Sequence, residues 1–423
     1  MFNTLKHFIY VSKTLIINFL NYKLGRNNKK QCLLNISNTL SNKNILYSKI
    51  FQIISSENYL LDSDDNFILN NFNDNVRYED NELHDIEEII DNLNQKYKEK
   101  IILKNINPIK SGLVSVIYDA QIDNKDVIIK VIRKNINVKL KNDLTEIENI
   151  INIFSNMPYI KNYNIDVIFN NNKNIILNQT NFLEEIKNID KFYKNYENVN
   201  YIKIPLVYEK YTNDNNSIII MEKIYGNTLQ NIKNDIYSDK YGLLLIKFTM
   251  KCILYDRLYH SDLHSGNIFF INDNGIQKLG IIDFGIVDTI TKYDQNCFYN
   301  FFNEIFINKD IVKSRNYIIN NIIEPQYVYN NLNYLDKQIL INNIDIIIKR
   351  TLINTDNISH EWIYDINKIL SEYSLKLSKN FCKIQLSLII SDSVGKKLCY
   401  NQTNIEKIRI AIEDLFSPNI IDF

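Results

Sequence analysis

A chain of 423 residues in which 49 Lys and Arg stand against 49 Asp and Glu carries no net charge, so its balance points to neither a nucleic-acid partner nor an acidic substrate. The length supports a substantial core and, at roughly 150 residues per domain, two or three structural units. Five cysteines, Cys32, Cys252, Cys297, Cys382 and Cys399, are scattered, odd in number and without a Cys-x-x-Cys pair, which speaks against a disulfide framework or zinc knuckle and for reduced thiols in an intracellular compartment.

No Asp or Glu precedes Glu57, whereas Lys6, Lys13, Lys23, Arg26, Lys29, Lys30, Lys43 and Lys49 do. Within this basic flank Leu5, Phe8, Ile9, Leu15, Ile16 and Phe19 recur at helical spacing and predict an amphipathic helix. An organelle presequence, a membrane-surface helix making peripheral membrane contact and a helix docked on the rest of the chain all fit that pattern. The apolar stretch from Phe8 to Leu20 is interrupted by Lys13 and is shorter than the roughly 20 residues that cross a bilayer. Arg, usual in presequences, is scarce, and a mitochondrial address and a viral or host cytoplasmic origin fit equally.

Residues 1–100 read as a helical extension broken by an acidic, Asn-rich stretch from Asp62 to Asp91. The Asn runs at Asn170 to Asn172 and Asn213 to Asn216, like the crowding of Asn, Ile, Lys and Tyr beside only 9 Gly and 5 Pro, are read as codon drift in an AT-rich genome. From Leu113 to Ile132 two Val- and Ile-rich runs flank Asp123-Asn124-Lys125 and predict an antiparallel hairpin. An insertion from about Ile136 to Glu197 has helical spacing, and strand-like runs follow at Ile202 to Tyr211 and Ser217 to Ile224. From Tyr241 the pattern is helical to Leu258. Two short strands, Ile268 to Ile271 and Leu279 to Ile282, then flank Asn272-Asp-Asn-Gly275, and everything after about Tyr293 reads as amphipathic helix. The expected fold is α+β and two-lobed: the helical extension, a small antiparallel-sheet lobe with a helical insertion over 101–225, and a mostly helical lobe over 226–423.

The chemistry gathers at the ends of the second hairpin. In His260-Ser-Asp262-Leu-His264-Ser-Gly-Asn267 the Asp262 to Asn267 spacing matches the kinase catalytic-loop pattern Asp-x-x-x-x-Asn, and sixteen positions beyond Asn267 stands Asp283-Phe284-Gly285. Phosphoryl transfer from ATP needs a carboxylate to orient the acceptor, for which Asp262 is placed, and Mg2+ ligands, for which Asn267 and Asp283 are placed. Either motif alone is weak; in order, at the two ends of one hairpin, they are specific. His260, Asp262 and His264 as a zinc or iron triplet would leave Asn267 and Asp283 without a role. His264 fits a loop-holding hydrogen bond better than catalysis. Upstream, Lys130 interrupts the apolar strand Val127-Ile-Ile-Lys130-Val131, where a buried ammonium requires a partner, and Glu184 and Glu185 are the candidates. Ser111 and Gly112, ahead of the hairpin, occupy the place of a phosphate-covering loop.

These segments together resemble the UbiB-like atypical kinases, associated with coenzyme Q metabolism and lipid homeostasis, over roughly residue 40 to beyond 320. The resemblance rests on His264-Ser-Gly-Asn267, with Ser where the family has Pro; on the loop Ser111-Gly-Leu-Val-Ser115-Val-Ile-Tyr118, without the family's alanines; and on the 55 positions from Lys130 to Glu185. It implies a regulatory Lys-x-Gly-Gln segment, matched at Lys49-Ile-Phe-Gln52 with Phe for Gly. It also implies an acidic Glu-x-Asp signature, replaced by Gln179-Thr-Asn181, whose alignment selects Glu185 over Glu184. Lys130, Ser111, Gly112, Met221 and Glu222 are the implied nucleotide set, Lys130, Glu185 and Asp262 the catalytic set, and ATP and Mg2+ the cofactors. The expected function is ATP hydrolysis or Mg-dependent phosphoryl transfer to a protein, lipid or small-molecule acceptor, with a lipid or quinone link. The alternatives are a nucleotide-binding pseudokinase scaffold and a small-molecule kinase of the aminoglycoside or choline type, against which the Lys49 to Gln52 match speaks.

Overall fold

A computed structural model describes residues 2–48, 51, 76–154, 169, 173, 176–212, 216–232, 235–353, 361–378, 381, 384, 388, 391, 394–395, 397–398 and 404–415. Lys49 and Gln52 lie outside the described residues, as do Cys382 and Cys399. The chain divides into two compact units, one of residues 1–190 and 205–223, the other of residues 191–204 and 224–423.

In the first unit, α1 (Phe2–Lys23) and α2 (Lys29–Lys43) form an antiparallel-type hairpin of helices, and α3 (Ile86–Tyr97) precedes the sheet. The strands are β1 (Ile101–Leu103), β2 (Lys110–Ser111), β3 (Ser115–Ile122) and β4 (Lys125–Ile132), followed by α4 (Ile136–Phe154) and α5 (Phe182–Tyr196), of which residues 182–190 belong to this unit and residues 191–196 to the second. The β3–β4 turn is made by Asp123 and Asn124, both with positive φ, the two-residue geometry that matches strand twist and suits Asp and Asn. The period of two on β4 sorts its side chains. Val127, Ile129 and Val131 enter a core with Ile86, Ile90 and Leu93 of α3, whereas Ile128 and Ile132 pack with Phe182 and Ile186 of α5. Lys130 shares the parity of the second set. A third core lies under α1 and α2, where Val11, Leu40 and Tyr47 meet Leu140, Leu144 and Ile147 of α4.

The expected strand over Ile202 to Tyr211 shrinks to β5 (Ile202–Lys203). Pro205 has no N–H to continue a ladder, and Glu209–Thr212 coil into a helical turn. The run Ser217 to Ile224 supplies β6 (Ile218–Glu222), antiparallel to β4 with Lys130 opposite Ile219.

In the second unit α6 (Ser238–Lys251) runs into a π-helical turn at Cys252–Asp256, then β7 (Leu258–His260). Such a turn leaves carbonyls without their α-helical partners. The buried Gln295 side chain donates to two of them, Leu254 O at 2.7 Å and Tyr255 O at 3.0 Å. The hairpin β8 (Ile268–Asp273) and β9 (Ile276–Ile281) turns through Asn274 and Gly275, both at positive φ, and β5 joins β9 in parallel. β10 (Val287–Thr289) pairs with β7. The remainder is largely helical, including α7 (Lys292–Phe302), with one departure from expectation: Ile323–Glu324 and Lys376–Leu377 form a two-residue antiparallel pair, too short to show alternation in sequence.

Candidate active site

Each unit carries its own part of the chemistry. In the first, Lys130 is buried on β4 and its Nζ lies 2.6 Å from Glu185 Oε1, the carboxylate being almost fully buried on α5. The ammonium also sits 5.5 Å from the Phe182 ring centroid, a cation–π contact from the same helix. Two supports from α5 thus answer the desolvation of a lysine in an apolar strand. Glu184 points the other way, exposed, toward Lys187. Asn181, standing where the resemblance implies an acid, caps α5: its Oδ1 accepts from the Glu184 amide at 3.3 Å and its carbonyl from the Glu185 amide at 3.2 Å. A short polar acceptor at this place therefore starts the helix that presents Glu185. Gln179 lies half-buried in the preceding turn.

The loop between β2 and β3 is a tight turn closed by the Gly112 amide on Ser115 O at 2.8 Å. A Cβ at Gly112 would meet only Ser115 O, at an ordinary 3.6 Å, so the backbone itself does not require glycine there. The hydroxyl of Ser111, expected at the phosphates, is instead buried in a polar node. It donates to Val76 O and accepts from Arg133 Nη2 at 2.8 Å, so its hydrogen bonding is committed within the unit. Met221, too, is a core residue beside Phe182 and Ile186. The Glu222 amide donates to Leu206 O at 2.8 Å and its carboxylate accepts from the Leu206 amide at 3.3 Å. These side chains have structural uses that the sequence did not reveal.

Arg133 was not singled out in sequence. Almost wholly buried, it reaches Val76 O at 2.9 Å, Arg77 O at 3.3 Å and Glu82 at 3.4 Å as well as Ser111, and Glu82 also binds Lys139. One guanidinium thus ties the end of β4, the loop base and the segment 76–82 together, a use suited to its rigid fork of donors. An arginine ending an apolar strand was the available signal; Glu82 gave none.

In the second unit His260 is buried and joins the two motifs. Its Nδ1 accepts from the Asp262 amide at 3.2 Å, which fixes the neutral tautomer with the proton on Nε2, and Nε2–H donates to the Asp283 carbonyl. Its ring stands edge-on to Phe284, 5.5 Å between centroids, and Phe284 packs on Phe192 at 4.9 Å. The Asn267 side chain donates through Nδ2 to Asp262 O at 2.9 Å, which turns Oδ1 away from that bond as the amide's acceptor. The Asp283 carboxylate accepts from the Gly285 amide at 2.9 Å, holding the Asp-Phe-Gly turn. His264 caps the short turn Ser265–Asn267 by accepting from the Gly266 amide at 3.1 Å, the loop-holding use expected of it. Asp262, Asn267 and Asp283, from segments sixteen positions apart, are therefore linked by short hydrogen-bonded paths through His260 and the Asp262 carbonyl.

A carboxylate at Asp283 and an amide oxygen at Asn267 would make a hard, sparse donor pair, the kind that fits Mg2+, which takes one or two protein oxygens and completes its shell with phosphate and water. Among the described residues no group of three or more His, Cys, Asp and Glu is placed to hold a metal by itself, so a zinc or iron triplet at His260, Asp262 and His264 finds no support.

A lysine strand answered by a helix glutamate, followed by a catalytic loop and an Asp-Phe-Gly turn on a helical unit, is how protein-kinase-like proteins are built. A family model described as the ABC1 atypical kinase-like domain matches residues 73–317, more than half of the sequence, and the chain belongs to that family. Among similar proteins, an uncharacterized protein in the hydrogenase 1 5' region of Clostridium pasteurianum is 33% identical over 194 residues, covering 44% of this chain and 35% of that protein. The probable protein kinase UbiB of Blochmanniella pennsylvanica is 27% identical over 197 residues, 44% of this chain and 36% of that one. The UbiB of Tolumonas auensis is 27% identical over 200 residues, with the same coverage. The chain spans about a third of the length of these curated relatives. The fold is also similar to that of the Mycobacterium tuberculosis protein Rv3197, solved in complex with erythromycin, with a TM-score of 0.52 at 16% identity over 78% of this chain and 82% of that one.

Proposed function

We propose that this chain binds ATP with Mg2+ and transfers or hydrolyses the terminal phosphate, acting on a lipid-associated or small-molecule acceptor. The observation that supports this reading is the linkage of the Asp262 and Asp283 main chains through His260 and of the Asn267 side chain to the Asp262 carbonyl, which ties the two motifs into one hydrogen-bonded frame. Bound there, Mg2+ supplies neutralisation of the phosphate charge. Asn267 Oδ1 and the Asp283 carboxylate are its protein ligands in this proposal. Asp262 orients the acceptor hydroxyl or water and takes its proton. Lys130, held by Glu185 and Phe182, is assigned to the phosphates. With the Ser111 hydroxyl committed to Val76 and Arg133, the contribution of the 111–115 loop to a phosphate is assigned to backbone amides.

Release of labelled phosphate from ATP tests it. Wild type turns over with Mg2+ and stops with a chelator, and Asp283→Ala falls at least about a hundredfold, the usual scale for losing a preorganised charge-stabilising group. A thermal shift with ATP but no turnover in any variant would replace the enzyme with a nucleotide-binding scaffold; absence of both would reject the site.

A further inference from the structure

The helix α1 is docked the wrong way round for a helix of a water-soluble surface. Its buried positions are His7, Val11, Thr14 and Asn18, spaced four, three and four apart on one stripe, and three of the four are polar. His7 meets Tyr47 Oη at 3.1 Å and Glu146 at 2.8 Å, while Thr14 and Asn18 donate to carbonyls one turn back, at 2.9 Å each. The opposite pole carries Leu5, Ile9, Ile16, Phe19 and Leu20, every one more than half exposed. An amphipathic helix packed on a protein in water turns such residues inward. Here the apolar stripe faces away from α2 and α4.

The charged side chains that α1 and α2 themselves carry have one sign. Lys6, Lys13, Lys23 and Arg26 are exposed on or just beyond α1, Lys29, Lys30 and Lys43 are exposed on α2, and no acid occurs before Glu57. Lys23 lays its Nζ 5.6 Å from the Phe19 ring centroid, an alkyl stem along the apolar face with its ammonium at the rim. No described helix is long and apolar enough to cross a membrane.

We propose that α1 lies in the plane of an anionic phospholipid surface, with Leu5, Ile9, Ile16, Phe19 and Leu20 inserted among the acyl chains and the lysines on the headgroups. A single-helix apolar ridge bordered by exposed lysines suits a planar negative surface, where partitioning scales with apolar insertion plus attraction to acidic lipid. His7, through Tyr47 and Glu146, and Val11, in one core with Leu40 and Leu144, keep the helix attached meanwhile.

Co-sedimentation of the full chain with vesicles of phosphatidylcholine, alone or mixed with phosphatidylserine, tests the inference. Binding to the mixed vesicles and little to the neutral ones is expected. Ile9→Asn with Ile16→Asn and Phe19→Ser abolishes it while the melting curve stays unchanged, since these side chains are exposed. Replacing one exposed lysine, Lys13→Gln, lowers partitioning roughly fivefold and leaves the apolar stripe intact. With Phe19→Trp, the added indole emission shifts to the blue only on the mixed vesicles. No binding to either vesicle overturns the proposal. So does concentration-dependent self-association that the triple variant abolishes without vesicle binding, for then a second copy covers the stripe.

Discussion

Exchanging Lys130 and Glu185 singly and together measures how far their pair sustains the first unit. The two side chains are 9% and 2% exposed and 2.6 Å apart, so solvent screens them little. Glu185→Leu removes the carboxylate from beside an ammonium on an apolar strand, and breaking a buried pair from one side costs about 3–5 kcal/mol. Lys130→Met costs a similar amount by leaving Glu185 buried without its countercharge. At roughly 2–4 °C per kcal/mol for a unit of this size, each single variant lowers the unfolding midpoint by about 10 °C. In the double variant both desolvation penalties disappear and two apolar side chains face Phe182 and Ile186, so the cost falls to within about 1–2 kcal/mol of wild type. Denaturant melts of the four proteins give the coupling directly. Single variants within about 1 kcal/mol of wild type, or a double variant equal to the sum of the singles, would refute the reasoning.

Two further outcomes follow from groups outside the site. Burial pushes the Asp143 carboxyl on α4 up to about 6, with Glu146 adding to the rise and the Ile45 amide, Lys139 and Lys43 opposing it. Its folded value exceeds the unfolded one, so the folded state holds more protons between about pH 4 and 6; the stability this group contributes is full below that window and lost as pH rises through it. The loss has an upper bound on the order of 3 kcal/mol, and Asp143→Asn flattens the dependence, as melts between pH 4 and 7 show. Gln295→Leu strips the donors from Leu254 O and Tyr255 O and destabilises the second unit by about 1–3 kcal/mol, with faster amide exchange at residues 252–260. Protection unchanged from wild type would mean that the π-helical turn does not depend on that side chain.

What the sequence revealed and what it hid divide along a physical line. Both hairpin turns were readable because Asp123-Asn124 and Asn274-Gly275 are residues that tolerate positive φ, a local property. Asp262, Asn267 and Asp283 were readable because their spacing is set by one loop and one hairpin. Lys130 announced itself as a charge in an apolar strand. Long-range juxtaposition was not readable: Arg133 meets Glu82 and Ser111 only after folding, and Ser111 looked available for a phosphate until that node formed. Helical spacing in α1 showed two faces but not which one turns inward, and Pro205 ended a strand whose apolar composition suggested more.

Calorimetric titration of ATP into the full chain, with Mg2+ and with a chelator, tests the central claim most directly. Saturable binding that requires Mg2+ and is weakened at least tenfold by Asn267→Ala and by Asp283→Ala is the predicted result. Binding indifferent to Mg2+ and to both substitutions, or no binding in correctly folded protein, would contradict it.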